Sequence, residues 1–148
     1  MNSENNLLEM ENLFLALSDK TRLRLLNLMR GGEVCVCFFS EVLGESQPKV
    51  SRHLAYLRNA GIVSTRRDGK WVHYQIEHPS NSHSARILED TLKWLKEQGN
   101  MQADYEKLID ICCSADSPVT LIRAPKPGVS AETVKPSLKK EELETFLL

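Results

Sequence analysis

Between Gln47 and Ile76 the chain changes its hydrophobic period. In QPKVSRHLAYLRNAG, Val50, Leu54 and Leu57 recur at the three-to-four-residue spacing of a helix face. From Trp71 to Ile76, Val72, Tyr74 and Ile76 alternate instead, as on one face of a strand. Gly61 separates the two patterns, Ile62 to Arg67 reads as the partner strand, and Asp68-Gly69 supplies the hairpin turn. That dipeptide suits the type I′ geometry preferred by strand twist, in which both central residues take positive φ. A helix delivered directly into a tight hairpin restricts the fold to a few small architectures.

The same stretch concentrates charge. Lys49, Arg52, Arg58, Arg66, Arg67 and Lys70 face the single acid Asp68, a local +5 within a chain of net charge −1, so the remainder carries −6. A pI near 6.4 would by itself argue against nucleic acid, because a phosphate backbone selects summed positive charge through counterion release. The local balance overrides the global one and points to a DNA-binding surface.

Upstream, Leu7, Leu8, Met10, Leu13, Phe14 and Leu17 predict a first helix that buries a broad apolar stripe. Ser18 or Asp19 offers an N-cap for a second helix carrying Leu23, Leu25, Leu26, Leu28 and Met29, which stops at Gly31-Gly32. VCVCFFSEVLG predicts a short third helix closed by Gly44, and after Glu45 and Ser46 a fourth begins with Pro48 in its first turn, where the missing amide costs nothing. Two short helices across a tight turn make a helix-turn-helix, and the charged hairpin beside it a wing. Gln47, Lys49, Ser51, Arg52 and His53, with Ser46 in the turn before them, are placed for the major groove. Arg66, Arg67 and Lys70 are placed for phosphate or the minor groove.

Beyond Pro79, apolar residues from Ala85 to Ile111 predict a long helix, with Gly99 as a point of interruption. It is too apolar to stand alone. Paired with the first helix it suggests a homodimer interface, which also suits DNA, since two-fold symmetric proteins read half-sites about 34 Å apart. From Ser114 onward four of the six prolines appear and the charges cancel, which predicts a flexible tail over 114–148. SLKKEELETFLL within it is amphipathic enough for a terminal helix, with Phe146, Leu147 and Leu148 able to dock. With 148 residues and 41% hydrophobic content, residues 1–113 can form one core. No run is long enough to span a membrane and MNSENN lacks signal-peptide features, so a cytoplasmic protein is expected, with its four cysteines kept as thiols. The fold class is mainly α with a small β-hairpin.

Taken together, LALSDKTRLRLLNLM, EVCVC, SQPKVSRHLAYLRNAGIV and RRDGKWVHYQI resemble the ArsR/SmtB family of winged-helix metalloregulators over roughly Leu13 to Ile76. The resemblance implies a homodimeric repressor that holds double-stranded operator DNA and releases it when an inducer binds. In that family the CVC motif marks sensing of arsenite or antimonite, and a third cysteine usually follows three residues on. Here that position is Ser40. Cys35 and Cys37 supply two thiolates for trivalent arsenic or antimony, and Cys112 or Cys113 is the preferred source of a third. Without it, a two-thiol site favours methylarsenite, or each pair binds separately. On an ideal helix, residues two apart point about 200° from each other, so joint ligation by Cys35 and Cys37 requires an unwound start of the third helix.

Each assignment has a plainer alternative. Cysteines are often simply buried hydrophobes, and Cys112-Cys113 can pack at a helix end or act as a redox pair. His73, His78 and His83 with Glu89 or Asp90 lack the spacing of a helical zinc site, so His73 is expected in the wing strand and the others in solvent. Thiol redox sensing, or sensing of cadmium, lead or zinc by the same sulfurs, are the competing functions. An enzyme is not expected, since neither cysteine pair is a CxxC at a helix start and no acid–base constellation surrounds them.

Overall fold

The computed structural model describes residues 3–113. The predicted tail over 114–148, its terminal helix and the side chain of Cys113 lie outside the described residues. Helix α1 spans Ser3–Leu17 and α2 Lys20–Leu28, continued by one 3-10 turn over Met29–Gly31. Strand β1 is Val34–Cys35, α3 Val36–Leu43 and α4 Gln47–Asn59. Strands β2 (Val63–Asp68) and β3 (Trp71–Ile76) form the hairpin, followed by α5 (Ser82–Glu97) and α6 (Gly99–Cys113).

Local chemistry accounts for most boundaries. Asp19 caps α2, its carboxylate accepting from the Arg22 amide at 3.0 Å. Ser46 caps α4 through Lys49 N, and Asn81 caps α5 through the amides of His83 and Ser84. Gly44, at φ 66°, closes α3 in the left-handed region that ends helices. The long helical stretch after Pro79 is interrupted next to Gly99, as expected: Gln98 takes an extended backbone (ψ 133°) between α5 and α6.

Three expectations change. Val34 and Cys35 are not helical: they pair antiparallel with β3, Val34 opposite Tyr74 and Cys35 opposite His73, giving a three-stranded sheet in the order β1-β3-β2. β-branched Val34 beside an exposed hairpin edge gains more from that ladder than from one more helical turn. The hairpin loop is Gly69-Lys70, since Asp68 still pairs with Trp71. Gly69 has φ 61° and no other residue type has positive φ among those described, so the loop follows the glycine-first type II′ pattern instead of type I′. Finally, α1 buries only Leu13 and Ala16 within the subunit, while Leu7 (74%), Leu8 (54%) and Phe14 (54%) are exposed.

The core gathers Leu25, Leu26 and Leu28 of α2, Phe38 and Phe39 of α3, Leu54 and Leu57 of α4, Ile62, Leu88 of α5 and Leu108 of α6. Each of these side chains contributes roughly 1.5–3 kcal/mol by leaving water. Tyr74 meets Phe39 edge to face, centroids 6.3 Å apart, seating the sheet on α3. Helix α6 is fastened to α2 by Arg24 on Asp104 (2.8 and 3.1 Å) and by buried Asn27 donating to the Met101 carbonyl at 2.8 Å. Lys107 reaches the Val42 carbonyl of α3 at 3.3 Å. Among the described residues no helix is long and apolar enough to cross a membrane.

Candidate thiol site and nucleic-acid interface

Helix α4 turns Val50, Leu54 and Leu57 inward, which leaves Gln47, Ser51 and Arg52 exposed on the opposite face, beside the exposed cap Ser46. Lys49 pairs with Glu45 one turn back at 3.0 Å, a solvent-accessible contact of little energy that phosphate can replace. His53 is only half exposed. Its Nδ1 lies 3.4 Å from Arg22 and 3.6 Å from the Asp19 carboxylate, so this residue ties α4 to the start of α2 as well as standing beside the exposed face. Arg22 in turn donates to the carbonyls of Ala16 and Leu15 and stacks over Tyr56 at 4.2 Å. Tyr56, one turn beyond Arg52 and 41% exposed, belongs to the same face. Sequence reading passed over it because a lone tyrosine on an amphipathic helix resembles boundary packing.

On the wing, Arg67 and Lys70 are exposed, with Lys70 lying 5.0 Å over the Trp71 ring. Arg66, grouped with them from the sequence, has a partner inside the molecule. Its guanidinium grips the Glu33 carboxylate with contacts of 2.6, 3.0 and 3.2 Å, and holds the Glu33 carboxyl below its ordinary range against the opposing effect of burial.

The two thiols converge. Cys35 ends β1 in an extended conformation (ψ 141°) and Cys37 sits in the first turn of α3, with Sγ atoms 3.5 Å apart and exposures of 0% and 8%. The unwound start that joint ligation requires is already present: Cys35 lies outside the helix, and the strand-to-helix junction aims both sulfurs at one point. Cys35 is drawn down to about 7, first by the Cys37 S–H donating to its sulfur, against burial, and then by the amides of Cys37, Val36 and Val72. Cys37, as the donor and buried beside an incipient thiolate, is pushed up.

Two sulfurs held at roughly 2.3 Å from one tetrahedral centre stand about 3.8 Å apart, close to the spacing found here, so the pair fits bidentate ligation of a soft ion. Cys112 is half-buried on α6 against the edge of the core. Among the described residues no three His, Cys, Asp or Glu side chains converge. His73 lies in β3 as expected but is buried, while His78 and His83 are exposed. Ser40, one turn after Cys37, keeps a buried Oγ with no hydrogen-bond partner.

A helix-turn-helix with a basic hairpin beside it, followed by the helices α5 and α6, defines a winged-helix DNA-binding regulator. The family model described as "Bacterial regulatory protein, arsR family" matches residues 19–65. The arsenical resistance operon repressor of Escherichia coli K12 is 42% identical over 106 residues, covering 71% of this chain and 89% of that protein. The chain belongs to the arsR family of bacterial transcriptional regulators. The arsenic resistance transcriptional regulator ArsR1 of Pseudomonas putida KT2440 is 53% identical over 68 residues, 45% of this chain and 52% of that one. Among solved structures, HlyU from Vibrio cholerae N16961 superposes with a TM-score of 0.53 at 29% identity, over 64% of this chain and 97% of that one.

Proposed function

We propose that the protein is a homodimeric, cytoplasmic repressor that holds operator DNA through α4 and the wing. It releases that DNA when Cys35 and Cys37 bind trivalent arsenic, as arsenite or methylarsenite, or antimony. The observation that carries this is the buried sulfur pair, 3.5 Å apart with Cys35 poised as a thiolate, at the start of the helix that braces α4. Soft thiolates select soft ions. Two sulfurs alone suit a trivalent metalloid that keeps a third, non-protein substituent better than tetrahedral zinc, which asks for four ligands. The names of the E. coli and P. putida relatives, both regulators of arsenic resistance, support the same reading.

The inducer must prefer one state of the protein over the other. Since the sulfurs already converge, that preference arises from volume: a metalloid atom entering a fully packed junction displaces the start of α3, and overpacking a core costs roughly 1–3 kcal/mol unless neighbours move. Helix α3 passes that movement to α4 across the three-residue turn Gly44 to Ser46. Dimerisation is supported by the apolar face of α1, where Leu7, Leu8 and Phe14 are exposed, together with Trp94 (56% exposed) on α5.

A second reading, oxidation sensing, draws on the same lowered Cys35, because a thiolate is the form that peroxide attacks. The experiment separates them. Reduced full-length protein, bound to labelled operator DNA selected from a random pool, is titrated with arsenite, methylarsenite, antimonite, cadmium and peroxide while anisotropy reports release. Cys35→Ser and Cys37→Ser keep DNA binding and lose release by the trivalent metalloids, whereas the Cys112→Ser/Cys113→Ser variant retains it. Release by peroxide alone, or release surviving in both single variants, overturns the proposal.

A further inference from the structure

Across the sheet β1-β3-β2, three residues form one row: Cys35 pairs with His73, and His73 pairs with Arg66. Side chains opposite one another on neighbouring strands share a face. Glu33, two residues before Cys35, closes the row. Its Oε1 accepts from Arg66 and lies 3.5 Å from His73 Nδ1, while His73 Nε2 sits 3.9 Å from Asp68 without a hydrogen-bond partner. The wing arginine and the buried histidine thus share the Glu33 carboxylate, and the histidine lies in register with Cys35 on the neighbouring strand.

The arginine is held in a particular way. Both carboxylate oxygens of Glu33 engage the guanidinium edge, the two-pronged geometry that a DNA phosphate also offers. The Arg66 side chain is 54% exposed and that of Glu33 24%, so the pair stands at the root of the wing open to an incoming phosphate. An ion pair this exposed is worth little and can be exchanged.

We propose that Glu33 acts as an internal stand-in for DNA phosphate at Arg66, withholding one wing cation from DNA, and that its place beside β1 lets the state of Cys35 set how firmly that cation is withheld. This rests on the wing meeting DNA. While Glu33 holds it, Arg66 stays on the carboxylate and makes no phosphate contact, and loosening the clamp adds that contact. When a ligand displaces the β1–α3 junction, Glu33 moves with it and holds Arg66 more firmly, so DNA binding and ligation of the thiols oppose one another reciprocally. Glu33 is thus a positioning residue for DNA release, and sequence reading, which grouped Arg66 with Arg67 and Lys70 as equal contacts, had no sign of it.

The test uses reduced full-length protein and a labelled mixed-sequence DNA duplex, since phosphate contacts are independent of base sequence. Glu33→Gln is expected to tighten binding roughly twofold to fivefold, the range over which an exposed pair competes. It should also steepen the dependence of log K on log salt by about 0.9, the signature of one more phosphate neutralised. Glu33→Asp, shorter by one methylene, should gain less. Arg66→Gln alone should stay near wild type, and the Glu33→Gln/Arg66→Gln pair should lose the gain.

An unchanged Glu33→Gln, or a gain that persists without Arg66, overturns the proposal. Arg67→Gln/Lys70→Gln supplies the control: if it binds as wild type does, the wing does not meet DNA and both readings fall, whereas a loss there beside a silent Glu33→Gln refutes the clamp alone. In Glu33→Gln the ratio of DNA affinities without and with arsenite should shrink although arsenite uptake by the thiols is retained. An unaltered ratio overturns the link to Cys35.

Discussion

Replacing Cys37 with alanine in a Cys112→Ser/Cys113→Ser background tests whether one thiol sets the ionisation of the other. Cys35 stands at about 7 against an ordinary 9.0, and the first cause is the Cys37 S–H donated to its sulfur across 3.5 Å. The downward shift favours the thiolate, so at neutral pH Cys35 is ionised to a far greater extent than an unperturbed thiol, of which about 1% is charged. Cys37→Ala removes the donor and leaves burial, which opposes ionisation, so the titration moves upward. Cys37→Ser keeps a donor on the same atom position and should hold the midpoint low. Ultraviolet thiolate absorbance as a function of pH reads this directly, without requiring a reagent to reach a buried sulfur.

Stability follows with a definite sign. The native state sheds the Cys35 proton before the unfolded chain does, so between pH 7 and 9 the unfolded state binds more protons and stability rises with pH. Above 9 the unfolded chain releases the Cys37 proton that the native site retains, and the slope reverses. Denaturant unfolding across this range should show a rise and then a fall that both vanish in the Cys35→Ser/Cys37→Ser variant. A wild-type thiolate midpoint near 9, or one unmoved by Cys37→Ala, would refute the reasoning.

Other perturbations probe the scaffold. A methyl group at Gly31 would run into the Tyr105 hydroxyl, displacing the ring on which Arg30 stacks at 4.0 Å, so Gly31→Ala should lose roughly 1–3 kcal/mol in chemical denaturation. Ser46→Ala removes the cap of α4 and should cost about 1 kcal/mol while weakening DNA binding, because it frays the end that carries Gln47 and Lys49. Phe14→Glu charges the exposed face of α1 and should shift sedimentation from dimer to monomer without unfolding the subunit; a dimer of unchanged stability would exclude that face from the interface.

The helix-turn-helix and wing were legible because their determinants are local. Val50, Leu54 and Leu57 share a face whatever surrounds them, Asp19 and Ser46 cap the amides that follow them, and Gly44 and Gly61 end helices through their own backbone freedom. The charge of the wing is equally local, being a property of composition along thirty residues.

What the tertiary structure decided depends on pairings between distant segments. Val34 and Cys35 are a strand only because β3, nearly forty residues later, offers them a partner edge, and that pairing turns two cysteines at an unfavourable helical spacing into a convergent pair. Arg66 looks free in sequence, yet Glu33, thirty-three residues earlier, has already claimed it. Where α6, which carries Cys112 and Cys113, lies against the rest of the subunit is set by distant contacts of Arg24, Asn27 and Val42 that no local pattern announces. Periodicity and capping are written into neighbouring residues. Which side chain meets which across the sheet is set by register and packing, and these exist only once the chain has closed on itself.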